Sequence, residues 1–407
     1  MPDWRARATD VIPGGSSTGS KRPDALFGRA AHDVGLPTHF VRANGCRVWD
    51  TEDREYIDCG MALGAVGLGY ADPAVTAAVI RAAEDGNVSS LTHALEVEVA
   101  ESLVELVPCA EQVRFLRTGA EAGAAAVRLA RTYTNRERII ACGYFGWLDW
   151  NSDARGVPEA TKHAVTWTPF NDIPALEAAM EQGEAPAAIV IEPLVHDIAD
   201  AEWLAAARRL ATAAGAVLIF DEVKTAFRVR TGGVQALHDI TPDLTTLGKA
   251  MANGYPLSAV VGRAAVMDAA RHTWISSTAA SETTGLAAAQ VVLTQHATHD
   301  VCADMARAGL TMRDIVGRAL QEVAPAMQVL GPDVMWRLES PSPDLLDVCV
   351  AAAAYGGVLL KRGAYQFGAR AHTEEALYQL EQRLARLGEL WKRAASAVAE
   401  APVTGGR

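Results

Sequence analysis

Residues 216–262 read AVLIFDEVKTAFRVRTGGVQALHDITPDLTTLGKAMANGYPLSAVVG. The run 216–220 is short, apolar and rich in branched residues, the pattern of a strand buried on both faces. Asp221 and Glu222 follow it directly. Residues 244–247 (LTTL) form a second strand candidate, entered through Pro242-Asp243 and left through Gly248-Lys249. A small-residue turn over 250–256 comes next. An acid and a lysine thus stand at equivalent ends of two predicted strands, where open α/β sheets place their ligands.

Such a pair has a chemical use. Pyridoxal phosphate needs a lysine to bond its aldehyde carbon and a carboxylate to keep its pyridine nitrogen protonated, so that the ring accepts electrons. The lysine must also lose its proton near neutral pH, although its ordinary pKa is about 10.4. Burial and a neighbouring cation lower that value. Spacing alone leaves a surface lysine and a helix-capping aspartate equally open.

Other stretches add candidates. Residues 113–116 (VRFL) read as a strand, and Thr118-Gly119-Ala120-Glu121-Ala122 lead into a helix to about 133. Strand, glycine turn and helix start together form an anion site, because free backbone N–H groups converge there. A strand over 139–142 runs into Gly143-Tyr144-Phe145-Gly146-Trp147-Leu148-Asp149-Trp150, either a ring-stacking site or an aromatic core cluster. Residues 188–191 (AIVI) are a further buried strand, ending in Glu192-Pro193 with His196 and Asp197 behind it, and 202–215 follow as an amphipathic helix. Residues 12–22 and 151–163 read as polar loops. A Ser/Thr-rich loop over 276–284 precedes a helix over 285–296, near whose end His296 and His299 are expected to face solvent.

Composition sets the frame. At 407 residues, half of them hydrophobic, the chain is long enough for a large core and two domains. A net charge of -12 gives no support for a nucleic-acid partner. The six cysteines are scattered without metal-ligand spacing, which fits reduced thiols better than a disulfide scaffold or a zinc site, so no metal is expected. Residues 1–10 are polar and no apolar run reaches membrane-spanning length, so neither a secretory signal nor a membrane span is expected, and the expected location is the cytoplasm.

The segments FDEVKTAFR and PDLTTLGKAMANGYPLSAVVG resemble the signature of the class III pyridoxal-phosphate aminotransferases of fold type I, and within them the glutamate-1-semialdehyde aminomutase-like branch. The resemblance covers nearly the whole chain. It implies an α/β fold with a mainly parallel sheet in a large cofactor-binding domain over 71–289. A smaller α/β domain would be built from both termini, 1–70 and 290–407, with a long helix over 373–400 and a frayed tail from Ala395. It further implies that Lys249 is the Schiff-base lysine and Asp221 the pyridinium partner, with Val223 packed on one ring face and Tyr144 stacked on the ring. Thr118, Gly119 and Ala120 match the family's SGTEA phosphate loop, with Ala120 standing for a threonine. Glu192 matches the family's Glu-Pro pair. Thr278 matches the threonine that reaches a cofactor phosphate in the neighbouring subunit, which implies a homodimer with shared sites. Lys21, Trp147 and His196 fall where substrate contacts are expected.

The implied reaction is transamination, from an amino-acid donor to a small carbonyl acceptor such as a keto acid, a keto sugar or a biosynthetic intermediate. An aminomutase or epimerase on the same scaffold is the alternative, and a catalytically silent binding protein is the remote one. Lys21 where the aminomutase carries arginine, Leu63 at its active-site tryptophan, and Ala364 near its glutamate weigh against the aminomutase.

Overall fold

A computed structural model describes residues 3–33, 35–386 and 388. The chain divides into two compact units, one of them Pro73–Cys302 and the other taking Met1–Asp72 together with Ala303–Arg407.

The first unit is built on a seven-stranded sheet. Its order is Gln112–Leu116, Ser258–Gly262, Leu244–Leu247, Val217–Asp221, Ala188–Ile191, Ile139–Cys142 and Val165–Trp167. Ser258–Gly262 is antiparallel to both its neighbours, and every other pairing is parallel. The central strands are buried along their whole length because both faces are covered. Their side chains alternate between two cores. Ile139, Ala141, Val190, Val217 and Ile219 pack beneath the helix Gly119–Thr134, against Ala126, Leu129 and Ala130. Ile140, Ile189, Ile191, Leu218 and Phe220 meet Trp203, Leu204, Ala207 and Ala211 of the helix Ala201–Ala214 on the other side. That helix ends on Gly215 at φ +63, a conformation that glycine adopts without steric cost.

The helix Thr283–Thr298 packs on Pro73–Asp85 and Ala94–Leu106, and so belongs to this unit. Residue 289, where the sequence suggests a boundary, lies inside it. Residues 151–163 are not simply a loop, since they contain the end of a short 3-10 turn, Asp149–Asn151, and the helix Glu159–His163. Glu159 in its first turn and Lys162 and His163 in its last complement the helix dipole, and Lys162 Nζ lies 2.7 Å from Glu159 Oε1.

In the second unit, Phe40–Asn44, Arg47–Asp50 and Glu55–Asp58 form an antiparallel meander, to which Val358–Leu359 adds a parallel strand. Gln328–Leu330, Met335–Glu339 and Tyr365–Phe367 form a separate antiparallel sheet. The 12–22 segment contains two single 3-10 turns, Pro13–Gly15 and Gly19–Lys21. The C-terminal helix is described over Glu374–Arg386, and the tail from Ala395 lies outside the described residues. No helix among the described residues is long and apolar enough to cross a membrane.

His296 corrects one expectation. It is 7% exposed, with Nδ1 3.2 Å from Thr231 Oγ1 and its ring edge-on to Phe227. The reason is visible in its helix: Val292, Leu293 and His296 form one buried stripe at the spacing of an inward face. His299, three residues on, is exposed. Burial first, and the nearby Arg228 charge among the lesser causes, push His296 down to about 4 from an ordinary 6.5. The unfolded chain therefore binds a proton below 6.5 that the folded chain refuses until about 4. Stability present above pH 6.5 should fall as pH drops through that window, by up to about 3 kcal/mol. Denaturant melts of His296→Gln against the parent chain check this: the variant should show a flatter decline over the same pH range.

Candidate active site

Three adjacent parallel strands deliver the central groups. Ile191 pairs with Phe220 and Asp221 with Thr246, so the carboxyl ends of Ala188–Ile191, Val217–Asp221 and Leu244–Leu247 lie side by side. Glu192, Asp221 and Lys249 stand at those ends. The strand period turns Asp221 and Glu222 to different uses. Asp221 Oδ1 accepts the Val223 N–H at 3.1 Å. Glu222 accepts from Val234 N at 2.8 Å, from Gln235 N at 3.0 Å and from the Thr225 hydroxyl, and is consumed in holding that turn.

The electrostatics oppose the usual charge states. Burial, with the Glu192 charge next in size, pushes the Asp221 carboxyl up to about 7. Lys249 is pushed down to about 8 by burial and then by the Lys224 cation. Lys249 itself sits at φ +47, after Gly248 in an extended conformation.

The helix Gly119–Thr134 opens with a full capping box. Thr118 Oγ1 accepts Glu121 N at 3.2 Å, and Glu121 Oε2 accepts Thr118 N at 2.9 Å. Ala122 N is bonded to the Thr118 carbonyl. The amides of Gly119 and Ala120 are the remaining first-turn donors, which have no intrahelical acceptor. A Cβ on Gly119 would come within 2.9 Å of Val223, and one on Gly146, at φ +91, within 2.5 Å of Ala120. Residues 118–120, 146 and 223 therefore form one tight cradle that only glycine leaves open.

The aromatic cluster divides. Phe145 and Trp150 are buried in the core, their rings 5.4 Å apart, and the Phe145 ring lies 6.2 Å from that of Trp167. Tyr144 and Trp147 are 72% and 77% exposed. The Tyr144 N–H donates to Glu192 Oε2 at 3.0 Å, which ties this residue to the three-strand edge.

Other candidates are less gathered. His196 and Asp197 lie exposed on a turn closed by a bridge between Leu194 and Ile198. Thr278 is exposed in the segment before Glu282. Glu282 caps the helix Thr283–Thr298 through Thr284 N and Gly285 N, both at 2.9 Å, and forms an ion pair with Arg117, next to Thr118. Lys21, in the other unit, is exposed and lines a cavity of about 300 Å³ with Leu63, Tyr70 and Lys361. Tyr70 OH donates there to Asp58 Oδ2 at 2.6 Å. Sequence reading passed over Lys224, whose Nζ lies 2.7 Å from Glu192 Oε1. The available signal was a second lysine three residues after Asp221 in the quoted stretch.

These groups fit pyridoxal phosphate. A buried carboxylate suits a ring N–H, a lysine of lowered proton affinity suits an aldehyde carbon, and a glycine-opened helix start suits a phosphate.

The chain matches the class-III aminotransferase family model over residues 29–147 and 157–367. It is 33% identical over 396 residues, 95% of this chain and 98% of the relative, to the 2'-deamino-2'-hydroxyneamine transaminase of Streptomyces kanamyceticus. It is 38% identical over 283 residues to the glutamate-1-semialdehyde 2,1-aminomutase of Symbiobacterium thermophilum, a match spanning 64% of each chain. Its fold superposes on the pyridoxal-phosphate internal aldimine form of the FumI protein of Sphingopyxis sp. MTA144 with a TM-score of 0.91. That match has 27% identity and covers 98% of this chain and 97% of that one. The mostly parallel sheet, the acid and lysine at its edge and these matches agree: the chain belongs to the class-III aminotransferases, enzymes of fold type I that work with pyridoxal phosphate.

Proposed function

We propose that the chain passes an amino group from an amino-acid donor to the carbonyl carbon of a small acceptor, with Lys249 and Asp221 as the catalytic pair. The observation that carries this reading is their placement at the ends of adjacent strands, with proton affinities shifted toward each other. Pyridoxal phosphate, when bound, supplies the electron sink and the temporary seat for the amino group. Lys249 Nζ would be the base that takes the donor's α-proton in the first half of the reaction and, in the second half, the acid that delivers a proton to the acceptor carbon. An amine near 8 has a useful neutral share at neutral pH. Asp221 holds a proton on the ring nitrogen, and a cation there restores its ionised form. Thr118 and the amides of Gly119 and Ala120 hold the phosphate, while Tyr144 and Val223 flank the ring. Glu192 supports the Tyr144 backbone.

The acceptor reading is a keto sugar or similar carbonyl compound before an α-amino-acid analogue. One relative, matched over 98% of its length, is a transaminase named for the sugar-like substrate 2'-deamino-2'-hydroxyneamine. Lys21, Leu63 and Ala364 depart from the aminomutase at substrate positions, which supports transfer between two molecules over migration within one. Lys21, Trp147 and His196 remain the substrate-contact candidates. Six buried, free cysteines are consistent with a reducing compartment such as the cytoplasm. The assembly is a two-fold dimer in which Thr278 serves the phosphate of the partner's site, since each chain must then give and receive the same contact.

Asp221→Asn should keep part of the cofactor yet lose most turnover, on the order of 2.7–4 kcal/mol of barrier, or 100- to 1,000-fold in kcat. Single-turnover rates with a panel of donors and acceptors measure this, and an unchanged rate would move the ring partner elsewhere. Lys249→Ala and Thr278→Arg should each be inactive alone. Mixed under subunit exchange, they should recover up to about a quarter of wild-type activity, because half the dimers carry one site free of both changes. Demonstrated heterodimers that remain inactive would exclude the shared site.

A further inference from the structure

Glu192 divides its carboxylate between two partners. Oε2 accepts the Tyr144 N–H at 3.0 Å, and Oε1 pairs with Lys224 Nζ at 2.7 Å. Both charged side chains are largely buried, Lys224 12% and Glu192 5% exposed. Gly143 stands just before Tyr144 at φ +130, and a Cβ on it would lie 2.3 Å from Glu192 Cβ. Glu192 therefore fills the space that glycine leaves and fixes the backbone carrying Tyr144.

A carboxylate in that place has an electrostatic cost. It stands beside Asp221 in the strand register and bears on Lys249 as well, raising the proton affinity of both. The charged groups facing Lys249 are Lys224, Glu192, Asp221 and Arg228. Of these, Lys224 is bonded to Glu192 itself, and its own effect on Lys249 is opposite in sign and larger. Low-polarity surroundings make each such charge felt more strongly than in water.

We propose that Lys224 is a positioning residue: paired with Glu192, it lets that carboxylate hold the Tyr144 backbone without leaving unbalanced negative charge at Lys249. Lys249 then keeps the neutral share of amine that proton transfer needs. This rests on the reading of Lys249 as the reacting amine, although the test below does not require turnover.

The full-length chain, freed of cofactor, is labelled with trace acetic anhydride between about pH 6 and about pH 10, a range that brackets ordinary and lowered lysine values. The labelled Lys249 peptide is quantified by mass spectrometry. Lys224→Met should raise its titration midpoint by roughly one pH unit, and Glu192→Gln should lower it. Lys224→Arg should stay near wild type, and the double variant Lys224→Met/Glu192→Gln should fall between the two single changes. In the cofactor-loaded enzyme, the pH midpoint of the visible absorption band should follow the same order. Equal midpoints across folded variants, or a reversed order, would overturn the proposal, even if thermal stability changed, because a purely structural strut moves melting and not this ladder. Should Lys224→Met fail to fold, Glu192→Gln and the double variant still carry the comparison. Failure of Lys249→Ala to abolish turnover would count against the catalytic assignment alone.

Discussion

The register of three parallel strands is the constraint on which the rest depends. Neighbouring strands lie about 4.8 Å apart, so groups at their aligned ends meet without any loop having to reach. Ile191 against Phe220 and Asp221 against Thr246 set that alignment. A slip of one residue would turn every side chain to the opposite face, exchanging Asp221 with Glu222. The slip is resisted because both faces are packed: Leu218 and Phe220 belong to one core, Val217 and Ile219 to the other. The chemistry at the edge is thus held by apolar packing several residues away.

That packing explains why so much of the centre is legible in the sequence. The runs 217–220 and 244–247 are continuous apolar or β-branched stretches, and the residues that follow them are fixed in place by the strand ends. The helix Gly119–Thr134 announces itself through Thr118 and Glu121, a capping box whose spacing is local. What stayed hidden was decided by contacts between distant segments. Lys224 looks like any surface lysine until the strand holding Glu192 is laid beside it. His296 was misread because two histidines near a helix end suggest solvent, whereas the Val292–Leu293–His296 stripe points inward. The helix Thr283–Thr298 straddles the boundary expected at 289, and its packing on two helices from the start of the same unit assigns it there.

Departures from the family pattern have local physical outcomes. Phe145 is a core residue wedged near Trp150 and Trp167, an apolar place. Ala120 replaces a hydroxyl-bearing residue at the helix start, yet its methyl fills the space beside Gly146 and its backbone amide is unaltered. Tyr70 places a hydroxyl on the half-buried Asp58, a carboxyl that desolvation pushes upward.

The backbone of Lys249 adds a tension of another kind. At φ +47 it occupies a region that costs a residue with a Cβ roughly 1–2 kcal/mol and costs glycine almost nothing. Selection for folding alone would therefore favour glycine or asparagine here, while the amine chemistry requires the long side chain. On the role proposed for Lys249, robustness and activity pull in opposite directions at this point.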